Sequence, residues 1–289
     1  MVNIDLITGF LGAGKTTFIK KYAEYLRFKG ESFAVIENEY GTKGIDSRIL
    51  AAEGIHADEL FGGCICCTLK VGFHDMLLEL SDHFDRIIVE PSGVYDISQF
   101  YSVISSSEMK GKCQIGGIIC VVDPFSVSKL DDFSREMLKD QIMASGSVIF
   151  SMDDDAGEVT VKNYRDLVCN QLGIGEFNIS VYDDFQYLSR CGSSNYIPDA
   201  EQTHSARYLS TTIKLEPCSA DEIKCRIDRL YNNGECGTVL RIKGVWGGYM
   251  INSVSSHLNM VQCDDEEGLN IIGLDLNRKK IREILKGNI

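Results

Sequence analysis

The 289-residue chain carries a formal net charge of −13, which argues against a nucleic-acid partner, since that would favour a basic face. Its 44% hydrophobic and 25% charged residues are ordinary for a soluble globular protein, with room for one large domain or two smaller ones. No basic leader precedes the first motif, and the longest apolar run, near Ile118-Ile119-Cys120-Val121-Val122, is far too short for a bilayer; the expected compartment is the cytoplasm, with no membrane partner.

In chain order, Asn3 to Thr8 is apolar and β-branched, and predicts a short strand. Gly9-Phe10-Leu11-Gly12-Ala13-Gly14-Lys15-Thr16 then matches the phosphate-binding pattern G-x-x-x-x-G-K-[ST] at every fixed position. From Thr17 to Leu26 the apolar spacing is helical, with Phe18, Tyr22, Tyr25 and Leu26 on one side. Strand, glycine-rich turn and helix N-terminus together aim backbone N–H groups and the positive end of the helix dipole at phosphate oxygens. Lys15 adds a point charge for the β- and γ-phosphates, and Thr16 a hydroxyl for Mg²⁺. A chance glycine turn would not bring all of these in this order, so the chain is expected to bind a nucleoside triphosphate.

Ser32 to Glu37 predicts a second strand, and the polar, glycine-punctuated 38–46 a loop. Helices are expected over Phe73–Leu80, Ser128–Ala144 and Val161–Leu172, and strands over Phe84–Glu90, Gly116–Asp123 and Val148–Phe150. Strands alternating with helices imply a mostly parallel sheet covered on both faces, an α/β P-loop NTPase domain over residues 1–191. Gly192 to His204 is polar and turn-rich and predicts a linker. Residues 205–289 change pattern: strands at Tyr208–Leu215, Gly237–Gly244, Gly248–Val254 and Leu269–Leu274, a helix opened by the capping box Ser219-Ala220-Asp221-Glu222, and a closing helix at Asn277–Leu285 predict a small α+β domain.

Eleven cysteines are an odd and high count, and in a cytosolic nucleotide-binding protein they suggest ligands, redox groups or small core residues before disulfides. Cys64-Ile65-Cys66-Cys67 puts three thiols within four residues beside Gly62-Gly63, close enough to converge on a soft or borderline cation such as Zn²⁺ or Cu⁺. A buried apolar cluster or a redox pair would use the same residues, since zinc signatures usually have two separated pairs. The other eight cysteines lie singly and are expected as core fillers.

Four stretches taken together resemble one family. Gly9-Phe10-Leu11-Gly12-Ala13-Gly14-Lys15-Thr16-Thr17, Glu37-Asn38-Glu39-Tyr40-Gly41, Gly62-Gly63-Cys64-Ile65-Cys66-Cys67 and Glu90-Pro91-Ser92-Gly93 occur in the order of the CobW-like GTPases, relatives of the nickel-insertion GTPases of urease and hydrogenase maturation. Gln141-Ile142, Leu240–Gly244 and Ile271–Leu285 extend the likeness over nearly the whole chain. The resemblance implies a metallochaperone or metal insertase that hydrolyses GTP and delivers a transition metal, Zn²⁺ first and Co²⁺ or Ni²⁺ as alternatives, to a client metalloprotein or cofactor-synthesis enzyme. It also implies roles. Gly12, Ala13, Gly14 and Thr17 line the phosphate cradle with Lys15, and Thr16 reaches Mg²⁺. Cys64, Cys66 and Cys67 hold the transferred metal, with Glu37 or Glu39 as oxygen ligands; surface acids at a sheet end would look the same. Glu90 orients Mg²⁺ or its water, and Gly93 is the pivot of a loop that senses the γ-phosphate.

One departure bears on the base. Where the family carries Asn-Lys-x-Asp, this chain has Ser151-Met152-Asp153-Asp154. Asp154 keeps the carboxylate for guanine N1 and N2, but the loop-tying Asn and the Lys that covers the base are gone, each worth about 1–3 kcal/mol if a buried group is left unpaired. The choice between GTP and ATP is therefore open at this point. A histidine-rich tail is absent, and His204 and His257 stand alone. The expected mechanism is a two-state switch in which triphosphate closes loops 37–46 and 91–95 around the cysteines. A nucleotide-binding metal or redox sensor with little turnover is the alternative class, an ATP-using kinase-like enzyme a third. A homodimer is compatible with all three.

Overall fold

In the computed structural model of the chain, the residues described are 1–37, 57–59, 70–151, 158–196, 208–254, 257–264 and 267–287. Two compact units divide them, the first ending within the described residues at Tyr196 and the second beginning at Tyr208. No described helix is long and apolar enough to cross a membrane.

The first unit is built on strands β1 (Val2–Thr8), β2 (Phe33–Glu37), β3 (Ala57–Glu59), β4 (Arg86–Glu90), β5 (Cys113–Val122) and β6 (Ser147–Phe150). They form a sheet in the order β3-β2-β4-β1-β5-β6, every pair parallel. Parallel pairing needs crossovers, and these are the helices α1 (Lys15–Lys29), α2 (Lys70–Ser81), α3 (Ile97–Ile104) and α4 (Asp132–Ala144), followed by α5 (Glu158–Leu172) and the single turn α6 (Phe185–Leu188). Alternate residues of each strand feed opposite cores. Ile4, Leu6, Ile87 and Val89 pack with Phe73, Leu77, Phe100 and Val103 of α2 and α3. Ile7, Ile88, Ile119 and Val121 pack with Phe18, Ile19, Tyr22 and Leu26 of α1. Burial on both faces is why these strands are continuously apolar in sequence.

Two elements depart from expectation for identifiable reasons. The helix expected from Ser128 is broken into a 3₁₀ turn at Val127–Lys129 and α4, because Leu130 is extended and Asp131 caps the new helix, its carboxylate accepting from the N–H groups of Phe133 and Ser134. Helix α3 was not expected at all; Asp96 caps it by accepting from the Ser98 N–H. The stretch Gly192–Tyr196, which begins the predicted linker, is tied to the first unit: Gly192 donates to Gly116 and accepts from Ile118, and Ser194 donates its backbone N–H to Ala144.

The second unit is an antiparallel sheet in the order β10-β9-β8-β11-β7, made of β7 (Tyr208–Ile213), β8 (Thr238–Trp246), β9 (Tyr249–Val254), β10 (His257–Gln262) and β11 (Gly268–Leu274). Helices α7 (Ala220–Asn232) and α8 (Arg278–Leu285) contribute Ile223, Ile227, Ile281 and Ile284 to one core with Ile242, Trp246, Ile251 and Ile271. Ser219 and Glu222 form the expected capping box. Gly247 and Gly248, with φ of 61° and 76°, make the two-residue turn from β8 to β9, since both central positions of such a turn need the left-handed region. Edge strand β10 was not foreseen; four of its six residues are exposed, and its apolar alternation is only the pair Leu258 and Met260.

Candidate functional site

The site grows from the carboxyl end of β1. Gly9 has φ of 133° and lies so close to β5 that a Cβ would overlap the Val121 carbonyl oxygen. Gly12 and Gly14 are also left-handed, with φ of 77° and 94°. Gly14 is the N-cap of α1, and no side chain caps the helix nor does an acid sit in its first turn. The first-turn N–H groups are thereby left for an anion. Ala13 is buried and its N–H closes the loop on the Phe10 carbonyl at 3.2 Å, whereas Thr17 faces solvent on the first turn.

Lys15 is buried and its ammonium arches over the loop, donating to the carbonyls of Gly9 at 3.1 Å and Phe10 at 3.4 Å. One residue on, the Thr16 hydroxyl lies 3.1 and 3.2 Å from the two carboxylate oxygens of Glu90, the last residue of β4. A hydroxyl and a carboxylate in contact at the phosphate loop form an all-oxygen pair, the donor chemistry that suits Mg²⁺ together with waters and phosphate. These residues fit that ion.

Glu37 ends β2 in register with Glu90 across the β2–β4 pair and is likewise buried. Beyond it the predicted metal residues Glu39, Cys64, Cys66 and Cys67 lie outside the described residues, as does Asp154. Among the described residues there is no group of three or more His, Cys, Asp or Glu that could hold a metal. The eight described cysteines are all free thiols; Cys113, Cys120 and Cys236 are buried and Cys191 and Cys218 pack half-buried against the cores, so core filling explains five of them and not Cys169, Cys225 and Cys263. Burial pushes the Cys120 thiol up to about 12, which keeps it protonated and inert.

The loop after β4 closes the site from the side. Gly93 abuts the phosphate loop so tightly that a Cβ would collide with the Leu11 backbone nitrogen. The Tyr95 N–H returns to the Ser92 carbonyl, and the Gln141 side chain of α4 donates to the Tyr95 carbonyl at 3.1 Å. Burial, with Asp96 beside it, raises the Tyr95 phenol well above its ordinary range, so it stays neutral. Gln141 as the clamp on this loop was not foreseen; a lone amide in an amphipathic helix gives no local signal. Ser151, just past β6, is buried behind the cradle: a Cβ on Gly14 would stand 3.4 Å from the Ser151 Cβ. Its N–H donates to the Val122 carbonyl, and its buried hydroxyl has no hydrogen-bond partner among the described residues.

Residues 3–172 match the family described as CobW/HypB/UreG, nucleotide-binding domain. The zinc chaperone YeiR of Escherichia coli is 31% identical over 158 residues, covering 53% of this chain and 47% of YeiR. The zinc chaperone YjiA of the same organism is 30% identical over 168 residues, covering 54% of this chain and 51% of YjiA. Each match thus spans about half the length of the curated relative. A crystal structure of Zn(II)-bound YjiA GTPase from E. coli aligns over 98% of this chain and 97% of that one, with 19% identity and a TM-score of 0.45.

Proposed function

The chain belongs to the CobW/HypB/UreG family, and from that premise we propose that it is a GTP-hydrolysing metallochaperone whose metal site is governed by the nucleotide. The observation that carries this reading is the pairing of Glu37 with Glu90 at the ends of adjacent strands, with Glu90 in contact with Thr16. Glu37, one of the predicted oxygen ligands, therefore ends the strand beside the one that carries Glu90. A change at the phosphate has a short mechanical path to it.

The cradle N–H groups and the first turn of α1 bind the phosphates, and Lys15 exchanges its two carbonyl partners for phosphate oxygens. Thr16 and Glu90 would hold Mg²⁺, which supplies charge neutralisation of the phosphates when bound. Gly93, already against Leu11, lets its loop follow the γ-phosphate without a side chain in the way. No described arginine takes the place of an arginine finger at this site, so intrinsic turnover is expected to be slow. The cargo, Zn²⁺ with Co²⁺ or Ni²⁺ as alternatives, would be held by Cys64, Cys66 and Cys67 with Glu37 or Glu39, and passed to a client metalloprotein. Ser151 and Asp154 would flank the base. A domain over 1–191, a linker over 192–204 and a client-docking domain over 205–289 complete the proposal.

The test is Zn²⁺ and Co²⁺ affinity by chelator competition with no nucleotide, with Mg²⁺ and a non-hydrolysable GTP analogue, and with the ATP counterpart. Metal affinity raised by the GTP analogue alone, and lost in Cys66→Ser, is the expected result; by reciprocity the metal then tightens the nucleotide by the same factor. Metal binding indifferent to both nucleotides would overturn the switch. Tight nucleotide binding without turnover would favour a sensor instead.

A further inference from the structure

The sheet has a second polar end, about 20 Å from the phosphate loop at ~3.3 Å per residue along β1. There a cavity of about 740 Å³ opens among the first residues of β1, β4 and β5, the end of α1 and the turn after α6. That volume is within the usual ~300–1,000 Å³ of small-molecule sites. The cavity exists because β5 bulges at Gly116: Ile4 pairs with Ile115 but Asp5 pairs with Gly117, which displaces the strand and leaves Gly116 in the cavity wall.

Three cations line it: Lys29, Arg86 and Arg190. Arg86 is the anchor, its side chain only 5% exposed. Nη1 donates to Asp5 Oδ1 at 2.8 Å, to Asp5 Oδ2 at 2.7 Å and to the Ser189 carbonyl at 3.3 Å, and Nε donates to Glu31 at 2.8 Å. Its remaining nitrogen, Nη2, has no acceptor among the described residues, although the guanidinium is nine-tenths buried and forms part of the cavity wall. Lys29 and Arg190 are exposed and have no carboxylate partner among the described residues; the Lys29 ammonium lies 5.6 Å over the Tyr25 ring, which is another wall of the cavity. The one lining carboxylate is Glu31, already committed to Arg86. With Asp5 behind the wall also paired to Arg86, three cations stand against two acids, a locally positive patch on a chain with a net charge of −13.

We propose that this cavity is a second ligand site, for a small molecule bearing a phosphate dianion, held by Arg86 Nη2, Lys29 and Arg190 with Tyr25 as an apolar wall. A guanidinium with a free N–H pair and two mobile cations suits a dianion better than a single carboxylate, because each negative oxygen then meets its own donor. The site is separate from the phosphate loop and does not depend on which triphosphate that loop takes.

The experiment is a titration of ¹⁵N-labelled full-length protein with inorganic phosphate and with phenyl phosphate, at ionic strength matched with NaCl. Saturable amide shifts are expected at Gln114, Gly116 and Ser189, weakened at least tenfold in the double variant Lys29→Ala/Arg190→Ala, with phenyl phosphate the tighter of the two. Both substitutions are on exposed side chains, so the fold and the Asp5–Arg86 pair are left intact. Shifts confined to residues 12–16, shifts no larger than those from NaCl, or a double variant that binds like the parent would each overturn the proposal.

Discussion

The two ends of the parallel sheet handle charge in opposite ways. At the carboxyl end, Lys15 rests on loop carbonyls and Thr16 on Glu90, bonds that a bound phosphate and cation can exchange. At the amino end, Arg86 of β4 is locked to Asp5 of β1, and the Tyr22 hydroxyl donates to Asp5 at 2.7 Å, all inside the core. One end is built largely of backbone and awaits a ligand. The other is built of side chains and holds the strands that carry the site. Glu90 is four residues along β4 from Arg86, and the phosphate loop directly follows the strand of Asp5, so the fixed end sets the register of the exchangeable one.

The comparison is broken most severely by removing the anchor. Arg86→Ala leaves Asp5 buried without its counter-charge, and stability is expected to fall by about 3–5 kcal/mol. Urea unfolding monitored at the single tryptophan, Trp246, would miss this if the units unfold separately, so far-UV circular dichroism is the measure. The double variant Asp5→Asn/Arg86→Met should recover much of the loss, since the unpaired charge is gone.

Lys15→Ala tests the other end. Truncating a buried, charge-assisted donor to phosphate costs about 2–5 kcal/mol of nucleotide binding. Calorimetric titration with the nucleotide should show that loss, with little change in the unfolding midpoint, because the Lys15 ammonium donates to carbonyls of its own loop. Equal losses of affinity and stability would erase the distinction between the two ends.

How much of this could be read beforehand follows the same division. The phosphate loop is a local signal: glycines at fixed spacing, a strand before and a helix after, all within thirty residues of the N-terminus. Strands β1, β2, β4, β5 and β6 were legible because burial on both faces makes them apolar runs. The amino-end pair was not legible, since Asp5 and Arg86 are 81 residues apart, one a lone acid inside an apolar strand and the other a lone charge at a strand start. Helix α3 was missed because eight residues give little periodicity, and the cap Asp96 follows a turn that had been read for its glycine alone. Gln141 and the cavity at Gly116 depend on tertiary packing and a bulge, which no short window contains.

Gly93→Ala is expected to have a smaller effect, localised between binding and turnover. The new Cβ collides with the Leu11 backbone, and the loop or the cradle must shift, a strain of about 1–3 kcal/mol. Single-turnover hydrolysis should slow more than nucleotide affinity falls. A loss confined to affinity would mean that the contact shapes the cradle and not the loop.

A pH dependence isolates the amino end. Complete burial pushes the Asp5 carboxyl up to about 6 from its ordinary 3.8, while Arg86 and the Tyr22 hydroxyl pull it down and Glu31 adds to the rise. The other titratable group facing it is the Cys191 thiol, which burial also raises, to about 12, so it is neutral throughout the acid range. A carboxyl raised in the folded state favours folding most when protonated. Its contribution is therefore fully present below about pH 4 and is lost as pH rises through about 6. Asp5→Asn removes that titration, so the stability difference between parent and variant should drift against the parent from pH 4 to 6 and be flat above 7. A difference that drifts the opposite way would mean that Arg86 outweighs burial, and that the buried pair favours folding in its charged form.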